Sequence, residues 1–194
     1  MNRKEIKEQA KKNLDGKWGG AIIIFLIYLV ISIGISATGI GILFTSVLTI
    51  AMLNAFLKGR NQNDYNPSDM FEPLNYNFTN KILLSLIKNI YIFLWSLLFI
   101  VPGIIKTYAY ALCEYLAIKH PEWEYKKCLQ ESQNMMKGHK FELFILQLSF
   151  LGWDLLSVLT LGILQLYVAP YKFATLAIYY EQLEQDYTSV YNVE

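Results

Sequence analysis

The longest uncharged stretch of the sequence runs from Trp18 to Leu57 and contains no Asp, Glu, Lys or Arg. One transmembrane helix takes about 20 apolar residues, so this stretch is long enough for two in succession. The chain is 54% hydrophobic and 17% charged, against about 25% charged in ordinary soluble domains. A soluble domain of 194 residues needs more polar surface than this to cover its core. The sequence therefore predicts an integral membrane protein.

Three short uncharged turns divide the apolar sequence into hairpins: Thr38–Gly41, Val101–Ile104 and Thr160–Ile163. Pro102 removes a backbone donor and Gly103 tolerates positive φ, so the chain can reverse there with few atoms. The apolar run on each side of a turn predicts one membrane crossing. We expect an all-α polytopic membrane bundle, a single domain of six crossings. The crossings form hairpin one (20–57), hairpin two (82–118) and hairpin three (141–183).

The distribution of charge predicts how the chain lies in the membrane. Nearly all Lys and Arg residues fall outside the hairpins, in segments 1–17, 58–81 and 119–140, whereas the tail, 184–194, is acidic. Positive residues accumulate on the cytoplasmic side of membranes, so we expect both termini inside and the three turns outside. A five-crossing arrangement is the alternative, with the fourth run lying flat because it contains Lys106 and Glu114.

Two polar segments have the spacing of short amphipathic helices. In 1–17, Ile6, Ala10 and Leu14 form one apolar stripe, and we interpret this segment as an arm on the membrane surface. We do not expect a signal peptide here, because the apolar sequence runs far beyond roughly 7–15 residues and the basic segment contains acids. In 119–140 a similar stripe predicts a second interfacial helix, ended by Gly138. In the loop 58–81, Ser68–Asp69 predicts a cap for a short helix, and the acidic tail is expected to fray.

Ionisable residues inside crossings are costly and therefore indicate function. Glu114 and Lys172 follow their turns by similar distances, which places them at similar depth. We hypothesise that they pair across the fourth and sixth crossings, with Asp154 joining them or reaching Lys106. The alternative is a buried ion pair that only fixes the register of the helices.

The sequence contains no pattern typical of catalysis. His120 and His139 are not at ligand spacing to each other or to the two cysteines, so no metal site and no cofactor are predicted. No nucleophile elbow, phosphate-binding glycine loop or HExxH helix is present. Cys113 and Cys128 are expected to be free thiols. The net charge of +1 excludes the basic footprint of a nucleic-acid-binding protein.

Long motifs resemble a known family. They are Lys4–Lys7 with Leu14–Trp18, Trp95–Leu98, Ile100–Tyr108, Ser132 with Met135–Lys140, Leu148–Trp153, Leu159–Ile163, Ala169–Tyr171 and Tyr180–Glu181. These residues resemble the bacterial integral membrane proteins grouped as domain of unknown function 975. The resemblance implies a bacterial cytoplasmic membrane protein and directs attention to His139, Lys140 and Trp153. Asp154 departs from the uncharged residue expected beside Trp153.

Three functions fit these observations to different degrees. We expect a non-enzymatic protein that binds membrane lipids, a membrane-active peptide or a membrane partner, with bacteriocin-type immunity as one version. The alternative is a small transporter or exporter component in which buried carboxylates and a lysine line a path. A lipid-modifying enzyme has no site in this sequence. The candidate binding residues are Glu114, Asp154, Lys172, His139, Lys140 and Trp153.

Overall fold

The computed structural model describes residues 3–36, 41–98 and 100–191, and over these ranges the chain forms helices and no strand. The predicted all-α class is confirmed. Two short 3-10 helices, Pro67–Met70 and Glu72–Asn75, lie between the third and fourth α-helices. The α-helices are α1 (Arg3–Leu14), α2 (Trp18–Ser36), α3 (Gly41–Gln62), α4 (Phe78–Leu98), α5 (Ile100–Ala109), α6 (Cys113–Lys119), α7 (Tyr125–Met135), α8 (Lys140–Leu148), α9 (Leu151–Leu159) and α10 (Gln165–Tyr191).

Helix α3 lies at the centre of the bundle. Every residue in 50–57 is buried, and α3 contacts α2, α4, α6 and α10. A helix that is apolar on all sides is stable only when it is covered on all sides. The polar exception in this stretch is Asn54, whose side-chain amide donates to the Asp69 carbonyl at 2.7 Å. The loop after α3 therefore closes over its last turns.

The third predicted turn has a defined backbone geometry. Leu161 and Gly162 have φ angles of 52° and 85°. The Gly162 N–H donates to the Ser157 carbonyl at 2.8 Å, and the Leu161 N–H donates to the Val158 carbonyl at 3.1 Å. These two bonds form a Schellman motif, which ends α9 and reverses the chain. The first predicted turn, at Thr38–Gly41, falls mostly outside the described residues.

The second turn lies earlier in the chain than the sequence predicts. Pro102 and Gly103 are inside α5, not in a reversal. Proline is tolerated there because the backbone N–H groups of the first helical turn have no acceptor within the helix, so the missing N–H of proline costs no hydrogen bond. The role of Gly103 is close packing, since a Cβ atom at this position would lie 2.8 Å from the Ser96 Cα on α4. The α4–α5 hairpin is present, but its reversal precedes the Pro-Gly pair.

The fourth apolar run is two helices instead of the single helix we expect from its sequence. It breaks at residues 110–112, between α5 and α6. The hydroxyl of Ser132 on α7 fills this break: it donates to the Ala109 carbonyl at 2.9 Å and accepts from the Leu112 N–H at 3.2 Å. Ser132 is fully buried. A side chain from a distant helix thus satisfies the backbone groups that the break exposes.

The two amphipathic segments form helices, but their apolar faces contact protein. In α1 the stripe of Ile6, Ala10 and Leu14 is buried, and α10 is its principal neighbour. In α7 the buried face includes Cys128 and Met135, and it packs against α4, α6 and α10. Each stripe therefore covers a face of the bundle. Helix α7 ends at Met135, before the predicted Gly138, which lies in the following turn with φ of 86°.

The loop after α3 and the C-terminal tail are more ordered than their sequences suggest. Tyr65 is buried and packs so closely on Gly59 that a Cβ atom there would overlap its ring. Asn66, not Ser68–Asp69, caps the first 3-10 helix by accepting from the Ser68 N–H at 3.0 Å. The tail is helical as far as Tyr191, because α10 continues beyond hairpin three.

Within the described residues, two helical stretches are long and apolar enough to cross a membrane: Trp18–Ile35 and Lys140–Leu159. Only 17% of the first and 22% of the second is buried. The core helix of a soluble protein would be mostly buried, so these exposed apolar surfaces are compatible with a membrane location. Six crossings are not demonstrated by this count.

We expect Ser132→Ala to destabilise the fold by about 1–3 kcal/mol, because it leaves a buried amide and carbonyl at the α5–α6 break without their partner. Unfolding in mild detergent, followed by near-ultraviolet circular dichroism, measures this change. Ser189→Ala is the matched control, since Ser189 is exposed on α10 and bonds only within its own helix. Equal stability of the two variants would contradict the role given to Ser132.

Candidate functional site

Hairpin three brings two predicted site residues together. The Lys172 Nζ on α10 lies 2.5 Å from Oδ1 and 2.6 Å from Oδ2 of Asp154 on α9. The side chains are 28% and 37% exposed, respectively, so the pair is accessible from outside the bundle. Of the predicted contacts, the link between Asp154 and Lys172 is present.

This ion pair lies in a groove between α8–α9 and α10, of about 280 Å³. We call it the hairpin-three groove. Most of its surface is apolar, and the ion pair is its only charged part. A small number of polar groups on an apolar wall is typical of sites that orient a ligand. The groove is lined by Leu146, Gln147, Phe150, Asp154, Lys172, Thr175 and Leu176.

Helix α1 closes one side of hairpin three. The Lys7 Nζ donates to the Ser149 Oγ at 2.9 Å and lies 4.0 Å from the centroid of the Phe150 ring. The Tyr171 hydroxyl donates to the Lys7 carbonyl at 3.2 Å. Burial, with the nearby charge of Lys11, lowers the pKa of Lys7. An anion close to Lys7 would therefore be favoured.

A second hollow, of about 240 Å³, lies on the α1 side of the Phe150 and Tyr171 rings, whose centroids are 5.2 Å apart. Residues adjacent in sequence line different cavities: Trp153 lines the hollow and Asp154 lines the groove. Likewise, Tyr171 lines the hollow and Lys172 lines the groove. We call this second cavity the α1 hollow. It is lined by Lys4, Lys7, Glu8, Lys11, Trp153 and Tyr171.

The hypothesised pairing of Glu114 with Lys172 is wrong. Glu114 on α6 forms its ion pair with Lys88 on α4, and the side chains are 9% and 13% exposed. Lys172 is held by Asp154 on its own hairpin. The equal depths inferred from the sequence require one continuous fourth helix, whereas the chain breaks at residues 110–112. The Lys88–Glu114 pair is therefore an internal connection and is less accessible than the pair in the hairpin-three groove.

The remaining predicted residues lie elsewhere. The His139 Nδ1 is 2.8 Å from the Glu142 Oε2, and the His139 carbonyl accepts from the Tyr179 hydroxyl at 3.3 Å. Lys140 begins α8 beside it. His139 faces a separate cleft of about 390 Å³ between the α7–α8 junction and α10. Its lining residues are Asn134, Met135, Lys137, His139, Leu183, Asp186 and Tyr187.

Lys106 is held away from Asp154. Its Nζ donates to the Gln133 Oε1 at 3.0 Å and lies 5.2 Å from the Trp95 ring centroid. The suggested link between Asp154 and Lys106 is therefore absent from the described residues. Within the described ranges 3–36, 41–98 and 100–191, no three His, Cys, Asp or Glu side chains are arranged to hold a metal ion.

Sequence reasoning missed the residues that α1 and α4 contribute. Lys88, the partner of Glu114, is not among the predicted site residues. Lys7 and Lys11 are not among them either. Their spacing with Lys4 places all three on one side of a helix, and this signal could have shown a common basic face. The contact of that face with Phe150 has no signal in the sequence.

A family model described as "Protein of unknown function (DUF975)" matches residues 1–108 and 98–187. No curated protein and no solved structure matches the chain. The match includes α1 and hairpin three, which together form the hairpin-three groove and the α1 hollow.

We expect Lys88→Met or Glu114→Leu alone to lower the free energy of unfolding by about 3–5 kcal/mol, because each leaves a buried charge without a partner. The double variant should be more stable than either single variant. Denaturant unfolding in detergent measures this coupling.

The matched control is the combination of Glu114→Leu with Lys172→Met, whose effects should add because these residues do not share a partner. Coupling between positions 114 and 172, with none between 88 and 114, would refute the assignment.

Proposed function

The chain belongs to the DUF975 family of proteins of unknown function, and we propose that it is a non-enzymatic integral membrane protein. In this proposal it binds a lipid, a membrane-active peptide or a membrane partner in the hairpin-three groove. Immunity to a bacteriocin-type peptide is one form of such binding. The location is the cytoplasmic membrane of a bacterium, with both termini on the cytoplasmic side.

The observation that carries the proposal is the partly exposed Asp154–Lys172 pair in an apolar groove. Beyond this pair, α9 and the following turn expose a continuous apolar surface, including Leu155, Val158 and Leu161. A soluble monomer rarely leaves such a surface uncovered. A ligand with one polar end and one apolar end complements both parts of the site.

The contacts between α1 and hairpin three limit how far this hairpin reaches into the bilayer. The charged face of α1 cannot lie in hydrocarbon, so Ser149 and Tyr171, which contact α1, belong at the membrane surface. From there to the turn at Leu161–Gly162 the helices rise about 14–18 Å. This is roughly half of a hydrocarbon core about 30 Å thick.

We therefore propose that hairpin three enters only the leaflet next to α1, whereas hairpin one crosses completely. The six-crossing arrangement would need the part of each arm between its contact with α1 and the turn to be about twice as long. Entry into one leaflet keeps both termini on the same side, as the charge distribution predicts.

The transporter alternative has less support. It requires Glu114, Asp154 and Lys172 to line one path, but Glu114 is paired with Lys88 in the bundle interior. The other two residues form a separate pair on hairpin three.

Native mass spectrometry from a mild detergent tests the binding proposal. We expect the wild-type protein to retain a discrete amphiphilic adduct. Lys172→Met and Asp154→Asn should each reduce its occupancy by about tenfold, because a charged hydrogen bond to a ligand is worth about 1.5–3 kcal/mol.

The controls make the same chemical changes at exposed positions, Lys126→Met on α7 and Asp64→Asn after α3. Circular dichroism shows whether each variant stays folded. An adduct that is absent from wild type, or retained by both groove variants, would contradict the binding proposal.

Membrane-impermeant thiol labelling of intact cells tests the arrangement in the bilayer. We expect Gly39→Cys to be labelled from outside, because hairpin one crosses completely. Ile163→Cys should be labelled from neither side, because the turn of hairpin three ends within the bilayer. Asn61→Cys should react only after the cells are opened.

The parent protein is the background control, since Cys113 and Cys128 are buried. Labelling of Ile163→Cys from outside would instead support six crossings.

A further inference from the structure

The α1 hollow lies beside the hairpin-three groove but differs from it in charge. Three lysines and one glutamate contribute to its lining, so the balance of charge is positive. The other two lining residues are Trp153 and Tyr171, which are aromatic. Clustered lysines with aromatic side chains at a membrane surface are typical of contacts with lipid headgroups.

The lysine side chains are held in place by hairpin three. Lys7 is fixed by its bond to Ser149 and its position over the Phe150 ring. The Lys11 Nζ lies 5.6 Å from the centroid of the Tyr171 ring. Both ammonium groups are therefore on the side of α1 that faces hairpin three. Because burial and Lys11 lower the pKa of Lys7, an added negative charge would relieve an existing electrostatic cost.

An apolar surface begins directly beside this positive hollow. Trp153 on α9 is 41% exposed, and the residues that follow it include exposed Leu155 and Leu156. An inorganic anion would use only the lysines. An anion attached to hydrocarbon chains would use both the lysines and the exposed face of α9.

We propose that the α1 hollow binds the phosphate of an anionic glycerophospholipid between Lys7 and Lys11, with the acyl chains lying along α9. The lipid belongs to the leaflet that hairpin three enters. This inference rests on the proposed function, because it names the ligand class for the same membrane-facing region.

Charge selects between phospholipid classes at this site. A zwitterionic headgroup carries a positively charged ammonium group that the lysines repel, whereas phosphatidylglycerol carries only the negative phosphate. Glu8, which also lines the hollow, would oppose an additional negative group. One anionic phosphate is therefore the best electrostatic match.

The test is native mass spectrometry of the full-length protein, titrated with phosphatidylglycerol or phosphatidylcholine in the same detergent. The wild-type protein should bind phosphatidylglycerol more tightly. Combining Lys7→Gln with Lys11→Gln should weaken phosphatidylglycerol binding by about thirtyfold, as expected for two lysines near an anionic lipid. Binding of phosphatidylcholine should be unchanged.

Two further variants separate this site from a general effect of charge. Lys12→Gln makes the same charge change on α1, but Lys12 is exposed and does not line the hollow. It should therefore bind as wild type. Lys7→Arg with Lys11→Arg keeps the charge and should restore the preference for phosphatidylglycerol. Thermal unfolding establishes that the variants remain folded.

Equal losses of phosphatidylglycerol binding in the Lys7/Lys11 and Lys12 variants would overturn the inference, as would unchanged binding in the Lys7/Lys11 variant. Displacement of phosphatidylglycerol by millimolar inorganic phosphate would also overturn it, because it would indicate a site for a soluble anion. If only the Asp154 and Lys172 variants lose lipid, the inference fails and the proposed function stands. Absence of any lipid adduct overturns both.

Discussion

Residues 50–57 of α3 present no face to water, and the arrangement of the other helices follows from covering them. Four helices and the loop after α3 surround residues 50–57. The short loop helices, with Tyr65 packed on Gly59, close the remaining side.

Much of this architecture could be predicted from the sequence, because helix period and turn chemistry are local properties. The stripe of α1, the turn with Gly138 after α7 and the reversal at Leu161–Gly162 were all readable from a few neighbouring residues. The position of the α4–α5 reversal was not. Pro102 and Gly103 suit either a turn or the start of a tightly packed helix, and only the contact with Ser96 decides between them.

The pairing of charges was predicted less well than the helices, because it depends on how distant helices meet. A straight fourth helix would have carried Glu114 to the depth of Lys172. Instead the run is broken at residues 110–112, where Ser132 of α7 satisfies the backbone groups, and Glu114 pairs with Lys88. For the candidate site, Asp154, Lys172 and Trp153 were identified from the sequence. Lys7 and Phe150 belong to the site because α1 docks on hairpin three, a contact between distant segments that the sequence does not indicate.

The length of α10 connects two regions that would otherwise be independent. This single helix carries Lys172 in the hairpin-three groove and Asp186 in the cleft that His139 faces. The two positions are separated by about 21 Å along the helix axis. If this part of α10 moves as a rigid body, a tilt of about 5° at Lys172 displaces Asp186 by about 2 Å. Pro170, just before Lys172, lacks the backbone N–H that would bond to the preceding turn and stiffen the helix at this point.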